Sequence, residues 1–198
     1  MAQTKDAKQR LREICRLAAR VFYEKSYDGA SMQEIAHAAG LTKAGLYHYV
    51  GSKDQLLYGI MNMGMDLVDE LVIERVKGVL DPQERLRQAI LGHIDLIVRA
   101  RDHETTVILH ENRSLKGHLR RKINTRKKVY IHYLENLIAE VQEQSGRPPL
   151  VSPLMAAFFV LGIVNWLYQW YHPEGRVKQQ ELEQIIVDFC FRGLLGAT

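Results

Sequence analysis

The chain has 198 residues, 46% of them hydrophobic, enough for one medium domain or two small ones with a sizeable core. A net charge of +4 is too mild to identify a nucleic-acid binder, and the two cysteines, Cys15 and Cys190, argue against a disulfide scaffold or a thiolate metal site. The longest uninterrupted apolar run, residues 154–164, is too short to cross a bilayer, and residues 1–12 are polar and basic, unlike a signal sequence. A soluble, reduced, cytoplasmic protein is expected, with no membrane partner. The charge is unevenly placed: residues 1–55 hold nine Lys/Arg against six Asp/Glu, whereas the remainder holds eighteen against seventeen.

In chain order, nearly every segment carries helical periodicity and none alternates as a strand. Leu11, Ile14, Cys15, Ala18 and Phe22 predict a first helix over residues 6–25 with one buried face. Ser31 and Glu34 form a capping-box pair that starts a second helix, ending near Ala39. Gly40 suits the left-handed turn after it, Leu41 plugs that turn, and Thr42 caps a third helix. Two short helices joined this way, the second polar and aromatic, make a helix-turn-helix, which lays its second helix in a DNA major groove.

Ser52, with Gln55 at the box position, predicts a fourth helix to about Lys77, carrying Met61, Met63 and Met65. Asp81-Pro82 and Glu84 start a fifth, with Leu86, Ile90, Ile94 and Ile97 on one side. Between residues 101 and 115 the pattern breaks into one short helix and a turn. A long helix over 116–144 follows, striped by Ile123, Tyr130, Leu134, Leu137 and Val141. Ser152-Pro153 then opens a helix that is apolar almost all round, and a break at Gly175 precedes the last helix. The expected fold is all-α: a three-helix head over residues 1–53 and a six-helix body over 54–198, to which ligand binding and dimerisation are assigned below.

The predicted recognition helix has the residue types that close approach to DNA requires. Thr42, Lys43 and Ala44 offer a hydroxyl, a cation and a methyl, and Gly45 removes bulk. Tyr47, His48 and Tyr49 bring polar tips, while Lys53, Ser31 and Gln33 are placed for phosphates. No arginine lies in this helix, so sequence reading falls to Lys43, Tyr47 and DNA shape. Leu46 is read as core.

This stretch resembles the N-terminal DNA-binding domain of the TetR family of bacterial transcriptional regulators. Ile35, Ala36, Ala39, Gly40, Leu46, Tyr47, His48, Tyr49, Ser52, Lys53 and Leu56 follow that family's string within residues 8–57. Two departures are Tyr49, where Phe is usual, and Gly51 before the Ser-Lys pair. The resemblance implies a repressor on a palindromic operator of double-stranded DNA, with Thr42, Lys43, Gly45, Tyr47, His48 and Lys53 at the DNA. The apolar stripes of the last two helices fit a four-helix interface between two subunits, built from Phe158, Leu161, Leu182, Ile185, Ile186, Phe189 and Leu194.

A second, shorter resemblance lies in Asn165-Trp166-Leu167-Tyr168-Gln169-Trp170-Tyr171 and the following Pro173 and Gly175. It is similar to the corresponding helix end in a TetR subgroup that responds to acyl-coenzyme A thioesters. That similarity implies an acyl-CoA inducer and ligand roles for Glu111, Arg113, Arg120, Tyr133, Asn165, Trp166, Tyr168 and Trp170. Eight Lys/Arg and no acid lie between Arg113 and Lys128, a composition that suits phosphates and equally a solvated face or a DNA-attracting patch. The alternative is an aromatic or cationic inducer, for which Asp95, Glu104, Glu111 and Glu135 are the candidate acids. An enzyme is not expected: the eight histidines are scattered, His110 and Glu111 point apart, and no phosphate loop, required cofactor or metal set is recognisable.

Overall fold

The computed structural model describes residues 2–99, 107, 109, 111–146 and 148–194, without the side chains of 2–5, 99, 112 and 194. Every regular element among them is helical. The elements are α1 (Ala2–Gly29), α2 (Met32–Ala38), α3 (Lys43–Tyr47), α4 (Lys53–Val68), α5 (Pro82–Arg99), α6 (Gly117–Ser145), α7 (Pro153–Trp170) and α8 (Gln179–Asp188). Helix α4 continues through a π-helical turn, Asp69–Ile73, and a 3-10 turn, Glu74–Val76, close to the expected end at Lys77. A 3-10 turn at Glu111–Arg113 and a π-helical stretch at Phe189–Leu194 complete the set. Most of the short helix expected between 101 and 115 lies outside the described residues, as does the side chain of Leu194.

Two compact units form: Met1–Asp66 with Ala100–Thr125, and Leu67–Arg99 with Arg126–Thr198. In the first, Ile14, Cys15, Ala18 and Phe22 of α1 are buried as the periodicity requires, together with Ile35, Ala36, Leu46, Leu56 and Leu57. Ser31 accepts the Glu34 N–H at 3.2 Å while the Glu34 carboxylate accepts the Ser31 N–H at 2.8 Å, completing the capping box. Gly40 takes φ +65°, as the turn demands. Ser52 caps α4 through the Gln55 N–H at 3.1 Å, but the Gln55 amide reaches back to the Gly51 N–H at 3.0 Å, one residue earlier than a capping box.

The second unit is organised around α5, which packs on the turns at 69–76, on α7 and on α8. Gly92 allows the closest of these approaches, because a methyl group there would strike the Leu71 carbonyl. Asp81 accepts the Glu84 N–H at 2.8 Å, so α5 starts where the sequence signals it. Helix α7 buries Ala156, Ala157, Val160, Val164 and Leu167 and turns Phe158, Phe159, Trp166 and Trp170 outward. Among the described residues it is the one helix long and apolar enough, by length and composition alone, to cross a membrane. Its Asn165 is instead bonded to a buried histidine. Both cysteines are buried and neither is in a disulfide.

Helix α1 differs from expectation in length and in a break at Ser26 (φ 62°, ψ 166°), a region that side-chain-bearing residues rarely occupy. The Ser26 hydroxyl returns only a long 3.4 Å bond from the Gly29 N–H. Replacing Ser26 with Gly should therefore stabilise the chain by about 1 kcal/mol, less the entropy that Gly adds to the unfolded state. Urea unfolding followed by circular dichroism checks this, and a destabilised Ser26→Gly variant would contradict the strain.

Candidate nucleic-acid interface and ligand module

Helix α3 presents its first turn to solvent because Thr42 and Leu46 fix its inner side. The Thr42 hydroxyl accepts the Gly45 N–H at 3.0 Å, and Leu46 is fully buried. Lys43, Ala44, Tyr47, His48 and Tyr49 are exposed and Gly45 is half-buried. A Cβ on Gly45 would stand 3.2 Å from the Thr42 hydroxyl, so the turn is tightest at the residue expected to approach DNA. Gln33 and Ser31 are exposed as well, though the Ser31 hydroxyl is engaged with Glu34. An ion pair with Lys25, then the bonds from Ser31, lower the Glu34 carboxyl to about 2, so the cap stays ionised.

Lys53, half-buried, starts α4 with its ammonium 4.4 Å from the centre of the Tyr27 ring. The Tyr27 hydroxyl donates to Asp54 at 2.6 Å, and burial followed by this bond push its pKa up. The Tyr27 N–H donates to the Glu111 carboxylate at 3.0 Å, and the other Glu111 oxygen takes the Ser114 hydroxyl at 2.6 Å. Glu111, assigned above to a ligand, thus spends both oxygens within the first unit. Arg113 and Arg120 belong to the same unit and are exposed.

The remaining ligand candidates belong to the second unit. Asn165 accepts a hydrogen bond from His93 Nε2 at 2.9 Å, and His93 Nδ1 accepts the Tyr130 hydroxyl at 2.6 Å. These roles follow from the amide oxygen, which can only accept, so the ring is assigned as neutral with its proton on Nε2. His93 and Tyr130 stack with their planes 7° apart. Burial pulls the His93 pKa down to about 4 against a smaller upward pull from Asn165. Trp166 is 60% and Trp170 48% exposed, one helical turn apart, while Tyr168 is half-buried and bonded to Gln169. Tyr133 is half-buried near the Arg85–Glu140 ion pair, its hydroxyl raised first by burial.

The basic run divides in the fold. Arg126 pairs with Asp69 at 2.5 Å, and Lys122 lies 5.9 Å from the Tyr58 ring. Burial lowers Lys127 to about 8, whereas Arg113, Lys116, Arg120, Arg121 and Lys128 face solvent. No cluster able to hold a metal ion exists among the described residues. Sequence reasoning missed Tyr27 and His93. The one available signal was a histidine interrupting the apolar stripe of α5.

Comparison with known proteins agrees with this architecture. Residues 14–59 match the family model for bacterial regulatory proteins of the tetR family, and residues 79–194 match the tetracyclin repressor-like C-terminal domain. The crystal structure of AibR in complex with isovaleryl coenzyme A and operator DNA is 41% identical, covering 96% of this chain and all of that one, with a TM-score of 0.86. PfmR, a TetR family transcriptional regulator from Thermus thermophilus, is 30% identical over 91% of this chain and 98% of its own, with a TM-score of 0.80. The transcriptional repressor KstR2 of Mycobacterium tuberculosis is 22% identical over 92% of this chain and 91% of its own. The chain belongs to the TetR family. It is a DNA-binding transcriptional regulator and not an enzyme.

The buried relay predicts a pH dependence. A free histidine titrates near 6.5 and His93 near 4, so on acidification the unfolded chain takes up this proton first. The contribution of His93 to stability is therefore complete above pH 6.5 and is lost as pH falls toward 4, by roughly 3 kcal/mol in all. His93→Gln removes this titration, and urea unfolding at pH 7 and pH 4.5 should show a smaller acid loss for the variant than for the wild type. Equal losses would contradict the neutral relay.

Proposed function

We propose that the protein is a repressor that holds a palindromic operator as a homodimer and releases it on binding an acyl-CoA thioester. The observation carrying this reading is the 41% identity, across nearly the whole chain, to AibR, which has been solved with isovaleryl coenzyme A and operator DNA. Isovaleryl-CoA is accordingly the first thioester to test. Such a regulator acts where the chromosome is, in the bacterial cytoplasm.

At the DNA, Thr42, Lys43, Gly45, Tyr47 and His48 enter the major groove and Lys53 takes a phosphate, with Ser31, Gln33, Ala44 and Tyr49 at the edges. Exposure of the α3 first turn supports this. For the dimer, α7 and α8 offer outward Phe158, Phe159, Ile185 and Phe189, four large apolar side chains that an isolated protomer leaves in water. Leu182 and Ile186 are covered by their own protomer, which narrows the expected interface to the outward residues and the half-buried Leu161. For the ligand, Trp166 and Trp170 supply apolar surface, and Asn165, with its oxygen held by His93, keeps its NH2 as a donor for a neutral carbonyl such as that of a thioester. Arg113 and Arg120 are exposed within the first unit, and a role for them toward the ligand's phosphates rests on the sequence resemblance alone.

A cationic inducer is less well served, because the acids it needs are engaged. Asp95 pairs with Arg75 at 2.7 Å and takes Gln179 at 2.9 Å, Glu135 faces His132 at 3.1 Å, and Glu111 is held by Tyr27 and Ser114. Glu104 lies outside the described residues.

Binding of the chain to DNA from upstream of its own gene, titrated with CoA thioesters, free acids and free CoA, tests the proposal. Release by isovaleryl-CoA or a near homologue, and by neither the acid nor CoA alone, is expected. Firm binding undisturbed by any thioester would refute the ligand class and leave the regulator intact. Lys43→Ala should lower operator affinity more than random-DNA affinity, with a discrimination loss of about 1–3 kcal/mol. Equal losses on both would remove Lys43 from base reading.

A further inference from the structure

We infer that Tyr27 and Glu111 are positioning residues for DNA binding: together they hold the Lys53 ammonium where it meets a backbone phosphate. This rests on the proposed phosphate contact of Lys53 and extends it to two residues that touch no DNA themselves.

The geometry starts at the break in α1. Ser26 leaves helical backbone, and the turn after it closes by the Ala30 N–H on the Ser26 carbonyl at 3.3 Å. Tyr27 then stands at the first position of a new turn, where a backbone N–H has no helical partner. Glu111 supplies that partner at 3.0 Å from 84 residues away. The carboxylate is itself fixed, since its second oxygen takes the Ser114 hydroxyl at 2.6 Å and the Ser114 N–H closes the 3-10 turn on the Glu111 carbonyl at 2.9 Å.

With its backbone anchored, the Tyr27 ring is held at three further points. Its hydroxyl reaches Asp54 at 2.6 Å, the Phe22 ring packs against it at a 51° tilt with centroids 5.4 Å apart, and its face carries the Lys53 ammonium at 4.4 Å. A lysine side chain has many rotamers to lose on meeting a phosphate, and a ring under the ammonium removes much of that loss beforehand. Asp54 and Lys53 are the first residues of α4, so the same ring fixes the start of that helix. Glu111 lies within the segment matched by the C-terminal family model, yet it belongs to the compact unit that contains the helix-turn-helix. A residue of the segment matched by the C-terminal family model is therefore built into the DNA grip.

A double-mutant cycle on the full chain tests this. Affinity for a duplex from upstream of its own gene is measured at two salt concentrations for wild type, Glu111→Ala, Lys53→Ala and the double variant, with a thermal melt of each. Glu111→Ala should weaken binding about tenfold and lower the salt slope by about one per subunit, as loss of a lysine–phosphate contact does. In the Lys53→Ala background the same change should cost less than about twofold, because coupled residues are non-additive. Glu111→Gln, which keeps an acceptor for the Tyr27 N–H, should restore most of the affinity. Tyr27→Phe, a milder change should Glu111→Ala prevent folding, is expected to weaken binding only while Lys53 is present. Additive losses, or an unaltered Glu111→Ala variant, would overturn the positioning role while leaving the Lys53 contact in place. A silent Lys53→Ala would remove that contact, and the positioning role with it.

Discussion

Two helices of seven and five residues cannot persist alone in water, and DNA recognition in this chain depends on both. Everything in the head follows from how α2 and α3 are kept helical. Each begins with a side-chain cap, Ser31 with Glu34 and then Thr42, which satisfies N–H groups that a short helix leaves bare. Each is anchored by buried side chains, Ile35 and Ala36 on α2 and Leu46 on α3. Gly40 closes the turn between them in a conformation that other residues resist. Because these interactions use the inner sides of the helices, the outer residues of α3 are free to be polar and exposed.

The second unit faces a different constraint, a polar chain inside an apolar one. His93, Tyr130 and Asn165 sit on three different helices, and each hydrogen bond between them removes the cost of burying its partner. A network of this kind tolerates one arrangement better than near alternatives, and so fixes the orientation of the Asn165 amide beside Trp166. That is the property a binding surface for a neutral, carbonyl-bearing ligand needs. It uses no charge, consistent with the engaged acids elsewhere in the unit.

Local chemistry was legible in the sequence wherever a few neighbouring residues decide the outcome. The capping box, the left-handed Gly40, the start of α5 at Pro82 and the inward stripes of α5 and α6 all stand where the pattern places them. Contacts between residues far apart in the chain were not legible. Tyr27 meets Glu111 across 84 positions and His93 meets Asn165 across 72, and no spacing rule reports such pairs. The break at Ser26 was hidden because serine does not advertise a positive φ as glycine does. For the last helix, amphipathic spacing correctly marked an apolar face. It did not separate Leu182 and Ile186, spent on the protomer core, from Ile185 and Phe189, which stay exposed.

In the proposed function one small ligand and one DNA site compete through this chain, and thermodynamic linkage makes the competition measurable. If isovaleryl-CoA weakens operator binding by some factor, the operator must weaken isovaleryl-CoA binding by the same factor. Isothermal titration of isovaleryl-CoA into the free protein and into the protein–operator complex reads this directly. A thioester that binds the free protein more tightly than the complex, by the factor seen in DNA release, is the predicted result. Equal affinity for the two forms would rule out that competition.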